Sequence, residues 1–99
     1  MDVEFADRNL DRLETDRRFT AGFGPAVVEA FFRKRMQQLR AAVDQRDLYA
    51  LKSLHFEKLK GRRAQQRSVR LNKQWRLILE IIAARPKNRL RICAIEDYH

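Results

Sequence analysis

Near Lys52 the spacing of the apolar residues changes, and that change limits the folds open to the chain. Upstream, apolar residues recur every three or four positions. Ala6, Leu10 and Leu13 form one short helical stripe. Val28, Phe32, Leu39 and Val43, widened by Phe31 and Met36, form a longer one that reads as core. Pro25, after the punctuation of Gly22 and Gly24, suits the first turn of that second helix. Arg33, Lys34, Arg35 and Arg40 are expected to decorate its outer side, and Asp47 to cap one further short turn through Leu51. Downstream, apolar residues fall at every second position. Leu54 and Phe56 alternate with His55 and Glu57, and Val69 and Leu71 alternate with Ser68 and Arg70. Trp75, Leu77, Leu79 and Ile81 alternate with Arg76, Ile78 and Glu80. Such alternation marks strands. Helices first and strands afterwards predict an α+β fold, with N-terminal helices packed on one face of a small antiparallel β-sheet. Val3 and Phe5 are placed in a short edge strand. The length of 99 residues holds one such domain, spanning 1–99.

Gly61 marks a break, and Asn72-Lys73-Gln74 reads as a tight hairpin loop in which Asn72 tolerates an unusual backbone angle. Side-chain parity then fixes the register. A three-residue loop pairs Leu71 with Trp75 and Val69 with Leu77, all on the buried face, and sets Arg70 opposite Arg76 on the other. A two-residue loop would divide the apolar set between the faces. Pro86-Lys87-Asn88 is a second turn. The last strand, Leu90 to Glu96, has apolar residues on both faces and reads as a central strand covered on both sides.

Charge adds a constraint of a different kind. Lysine and arginine number 22 against 13 acids, a net charge of +9. Residues 1–32 carry a net −3 and residues 33–99 a net +12. The densest stretch holds Lys58, Lys60, Arg62, Arg63, Arg67, Arg70, Lys73 and Arg76 with no acid among them. It is either a solvated, solubilising face or a surface awaiting a polyanion. Arg70 and Arg76 likewise have two readings: ion pairs with Asp97 or Glu80, or a clamp on a phosphate, since a guanidinium can donate two hydrogen bonds to one phosphate. The single cysteine excludes an internal disulfide and fits a reducing compartment. Cys93 itself reads as a small core hydrophobe. Two histidines and one cysteine show no metal-ligand spacing, so neither metal nor cofactor is expected. No run of about 18 apolar residues is present, and the acidic N-terminus has no signal-peptide core, so the expected location is cytoplasmic, without a membrane partner.

The chain ends in Asp97-Tyr98-His99, which offers an acid, a base and a stacking ring. Leu-Lys-Gly at 59–61, Ser68-Val69-Arg70-Leu71-Asn72 followed by Gln74-Trp75-Arg76-Leu77, and the terminal Glu96-Asp97-Tyr98-His99 together resemble the RelE/ParE toxin superfamily, in particular its HigB branch. The resemblance implies the toxin of a type II toxin–antitoxin module. It would be a small, basic, metal-independent endoribonuclease that cleaves mRNA on the ribosome. Its implied partners are a HigA-like helix-turn-helix antitoxin and, through the antitoxin complex, operator DNA. Carried over residue by residue, Asp97, Tyr98 and His99 match the catalytic terminal motif, Arg76 the arginine at the scissile phosphate, and Lys60 a basic residue of the active site. His55 stands two residues farther from Leu-Lys-Gly than the histidine of relatives. It is either a member of the site or a solvent-facing strand residue. Lys58, Arg62, Arg63, Arg67, Arg70 and Lys73 are expected to contact nucleic acid, and Trp75 to belong to the core.

The chemistry implied is attack of an RNA 2′-hydroxyl on its own 3′-phosphate, which needs a base, an acid and cations for the developing charge. His99 is the first choice for proton transfer, because an unperturbed imidazole titrates near neutrality. Asp97 orients it or acts as base. The division of roles among His99, Asp97 and His55 is open, and Tyr98 either stacks on a base or packs in the core. Two competing functions are a ParE-like inhibitor of DNA gyrase and a non-catalytic nucleic-acid-binding module.

Overall fold

Strand β1 (Val3–Phe5) leads into helices α1 (Arg8–Thr15), α2 (Ala26–Ala41) and α3 (Gln45–Ala50). Strand β2 (Glu57–Lys58) follows, then β3 (Gln66–Arg70), β4 (Trp75–Ile82) and β5 (Arg89–Asp97). Two 3₁₀ turns, Lys52–Leu54 and Gly61–Arg63, flank β2. The computed structural model describes residues 1–22 and 25–97.

The sheet order is β1-β5-β4-β3-β2. All neighbours are antiparallel except β1 and β5, which run parallel, so the sheet is mixed. The helices supply Leu10, Leu13, Val28, Phe32, Met36, Leu39 and Leu48 to one core with Val69, Leu71, Leu77, Leu79, Leu90 and Ile92 of the sheet region. Trp75 and Phe31 pack against it. The opposite, open face carries Arg70, Arg76 and Glu80 beside the buried Ser68 and Ile78.

Several boundaries differ from the sequence reading for local reasons. Asp7 caps α1, its carboxylate accepting the Asn9 N–H at 2.8 Å, so Ala6 precedes the helix and is exposed. Pro25 occupies the cap position of α2. That helix ends at Ala41, so Val43 leaves the stripe and is 59% exposed. Asp44, not Asp47, caps α3, while Asp47 accepts the Val43 N–H at 2.8 Å from within the first turn. Arg35 does not decorate the outer side of α2. It is 9% exposed and donates inward. Leu54 and Phe56 are buried, yet they do not alternate along a strand. His55 between them sits in the left-handed region (φ 47°, ψ 50°) and closes the 3₁₀ turn. This reversal, not a pleat, brings both neighbours to the core.

The hairpin register is as parity requires: Val69 opposes Leu77, Arg70 opposes Arg76, and the Leu71 N–H donates to the Trp75 carbonyl at 2.9 Å. Asn72 does not use a left-handed backbone. Its Oδ1 instead accepts the N–H groups of Gln74 (2.9 Å) and Trp75 (2.8 Å), turning the chain with its side chain. Asn72→Ala is expected to cost about 1–2 kcal/mol in urea unfolding, because the half-buried Trp75 N–H loses its acceptor.

Strand β5 lies inside the sheet, between β1 and β4, but it is not covered on both faces. Between Ile78 and Leu79 the register slips: Ile78 opposes Ala94 and Leu79 opposes Ile92, leaving Cys93 as an extra, bulged residue. The bulge changes the parity of the strand. Leu90, Ile92 and Ile95 therefore all take the helix side, and Ala94 and Glu96 take the open side. The apolar run is a change of phase along one buried face.

Candidate functional site

The open face gathers cations from two strands and the turn beside them, and an acid from a third strand. Arg70 on β3 directly opposes Arg76 on β4, and Arg76 opposes Glu96 on β5. From the Gly61–Arg63 turn, Arg63 donates to Gln66 Oε1 at 2.8 Å and to Glu96 Oε2 at 2.8 Å, crossing the face to β5. Like charges set directly opposite repel, and Glu96, engaged by Arg63, supplies one negative charge to this row. Nη1 of Arg76 is shut off from solvent. Arg70 forms no ion pair with Asp97 or Glu80. Its guanidinium lies against the Asn72 carbonyl (3.4 Å) and His55 Nε2 (3.1 Å).

The His55 contact carries chemical information. Arginine has only donors, so Nε2 accepts, and the neutral ring bears its proton on Nδ1. The left-handed backbone of His55 is a conformation that non-glycine residues adopt at a cost and that clusters at functional sites. Beneath this contact Arg35 donates from Nε to the Arg70 carbonyl at 2.8 Å and from Nη2 to the Ser53 carbonyl at 3.0 Å. Burial, with the charge of Arg70, lowers the pKa of Arg35 from its ordinary value.

Other residues singled out in the sequence fall in different places. Lys60 is exposed at the cap of the turn that carries Arg62 and Arg63. Lys73 is exposed at the hairpin tip. Asp97 is exposed opposite Trp75 and accepts from Gln74 Nε2 at 3.1 Å, at the hairpin-tip end of β5. Tyr98 and His99 lie outside the described residues. Lys58 and Arg67 oppose each other on β2 and β3, out of phase with Arg70 and Arg76. They line a notch of about 350 Å³ with Gln65 and Glu80. Nε of Arg67 is buried there with no hydrogen-bond partner among the described residues. The basic run is therefore divided between the two sides of the sheet. Among the described residues no three of His, Cys, Asp and Glu gather closely enough to hold a metal ion.

Cys93 is half-buried at the bulge and not in the core. Its Sγ lies 3.6 Å from Glu80 Oε1. Burial and the adjacent carboxylate push the thiol pKa up to about 11. A raised pKa keeps the thiol protonated, so at pH 8 only about one molecule in 10³ carries the thiolate. Iodoacetamide is expected to alkylate the native chain roughly 100-fold more slowly than the urea-unfolded chain at that pH, with the native rate climbing toward pH 11.

A family model described as the RelE-like toxin of the type II toxin–antitoxin system HigB matches residues 3–93. The chain belongs to the HigB-like toxin family. As a HigB-like toxin it is the toxin of a type II toxin–antitoxin system, and an antitoxin is its implied partner. Among solved structures, a YoeB/ParE toxin from Agrobacterium tumefaciens is similar at 16% identity over 100% of both chains, with a TM-score of 0.59. YafQ from E. coli is similar at 14% identity over 97% of this chain and 91% of that one, with a TM-score of 0.58. At these identities the likeness is one of fold, and it covers helices and sheet alike. No curated protein matches the sequence at comparable significance.

Sequence reasoning missed one residue of this HigB-like toxin's site region, Arg35, and the partner of another, Arg63. Arg35 had a legible signal, since it falls seven residues after Val28 and four before Leu39, on the apolar stripe itself. The reach of Arg63 to Glu96 had none, because nothing local links a 3₁₀ turn to a strand 33 residues later.

Proposed function

We propose that this HigB-like toxin is a ribosome-dependent mRNA endonuclease that works by 2′-hydroxyl attack on the adjacent phosphate, without a metal. The observation that carries the reading is the placement of Arg70 opposite Arg76, with His55 against Arg70 and Arg63 drawn across the same face. A phosphate entering between the two arginines would relieve their repulsion and accept their forked donors. It would also draw Arg70 off His55 Nε2, leaving that nitrogen open to accept the 2′-hydroxyl proton as the substrate arrives. Arg76 and Lys60 would stabilise the charge building on the phosphoryl oxygens. His99 would donate to the departing 5′-oxygen, and Asp97 would orient it or, like His55, act as the base. Tyr98 would stack on a base or pack in the core. Lys58, Arg62, Arg67 and Lys73 would hold flanking phosphates or ribosomal RNA.

The antitoxin in this reading is a HigA-like helix-turn-helix protein, and the pair binds its own operator. The toxin acts in the cytoplasm, where mRNA is translated. No helix among the described residues is long and apolar enough to cross a membrane.

The test is controlled induction in a growing host, with mapping of transcript ends and an assay of DNA supercoiling. New breaks within translated messages, absent when translation is blocked before induction, are the expected result. Double-strand DNA breaks with intact transcripts would select the gyrase inhibitor. Retention of RNA without breaks would select a binding module.

A further inference from the structure

Arg35 occupies a position that the apolar spacing of α2 would give to a leucine, and it is buried among Phe32, Met36 and Leu39 in sequence. Its three donor nitrogens are all used. Nε donates to the Arg70 carbonyl (2.8 Å), Nη2 to the Ser53 carbonyl (3.0 Å) and Nη1 to Gln38 Oε1 (2.8 Å). The two carbonyls belong to separate segments. One is the backbone of the residue whose guanidinium meets His55, and the other lies two residues before His55.

We propose that Arg35 is a positioning residue, which fixes the backbone of Arg70 and the turn ending in His55 against each other and so sets the Arg70–His55 contact. Three arguments support this. A well-packed apolar side chain would fill the site without the desolvation that a buried guanidinium incurs, so core stability does not account for an arginine here. The planar fork spans two acceptors at fixed separation, which a flexible ammonium cannot do. A left-handed non-glycine residue persists only where its surroundings hold it, and the Ser53 bond holds the turn that His55 closes. The catalytic consequence rests on the nuclease reading, whereas the geometric one does not.

The experiment compares Arg35→Met with the wild type by two readouts. The first is the histidine tautomer, from two-bond ¹H–¹⁵N spectra near about pH 8.5, where an ordinary imidazole is neutral. The chain has only two histidines, and His55→Gln assigns the signals. The second is steady-state cleavage of ribosome-bound mRNA. In the wild type, His55 is expected as the Nδ1–H form. In Arg35→Met that preference should move toward the free-imidazole mixture, kcat should fall about tenfold or more, and KM should stay within about twofold. A wild-type His55 pattern in Arg35→Met overturns the proposal, and so does a fall in kcat with no movement of His55, which would mark a merely structural role. If the wild type cuts no RNA, the nuclease reading fails, and the tautomer alone decides the role of Arg35. Should Arg35→Met not fold, Arg35→Lys decides by the same two readouts, because it keeps the charge and loses the fork.

Discussion

Arg76→Ala should slow cleavage of ribosome-bound mRNA by about 10²–10³-fold while the far-UV spectrum and the unfolding midpoint stay close to wild type. The side chain faces the open side of β4, opposite Arg70 and beside Glu96, and away from the helix-side core. Its loss removes a like-charge neighbour from Arg70 and takes no apolar side chain out of the core. What the reaction loses is a planar donor pair aimed at the phosphoryl group as charge develops there. Arg76→Lys separates charge from geometry. A lysine restores the positive charge without the fork and should recover only part of the rate. Single-turnover cleavage rates measure both variants, and a wild-type rate in Arg76→Ala would remove the phosphate clamp from the mechanism.

His99→Ala should cost more, about 10²–10⁴-fold in the same assay, the usual range for a proton-transfer group. Strand β5 is paired as far as Asp97, with Glu96 opposite Arg76 and Asp97 opposite Trp75. A pH profile gives the role. Loss of the alkaline limb in the variant marks His99 as the acid, and loss of the acidic limb marks it as the base. A wild-type rate in His99→Ala combined with an inactive His55→Ala would move the proton chemistry to the residue that Arg70 touches.

The hairpin was readable because parity leaves one register that buries Val69, Leu71 and Leu77 together, and the Arg70–Arg76 pair followed from it. The helices before the strands were readable from period alone. What failed to show was wherever a single backbone irregularity mimicked regular structure. His55 in the left-handed region imitates strand alternation at Leu54 and Phe56, and the bulge at Cys93 imitates a strand buried on both sides. Charge density also misled about location, since Lys58 and Arg67 belong to the same run as Arg70 but oppose each other in the other phase of the pleat. The terminal Asp97-Tyr98-His99 was read as catalytic only through family likeness, and its last two residues lie outside the described ones. Nothing in three polar residues after a strand distinguishes a reaction centre from a tail.

The unpaired Cys93 also works as a spacer that decides which face of the sheet Glu96 and Asp97 present. Shortening β5 by that one residue would restore uninterrupted pairing with β4 and turn everything beyond it half a revolution. The carboxylate of Glu96 would then face the helices and that of Asp97 the arginines. A single-codon deletion at this point, far gentler to the sheet than an apolar-to-polar change, therefore carries Glu96 away from Arg63 and exchanges the two carboxylates between the faces.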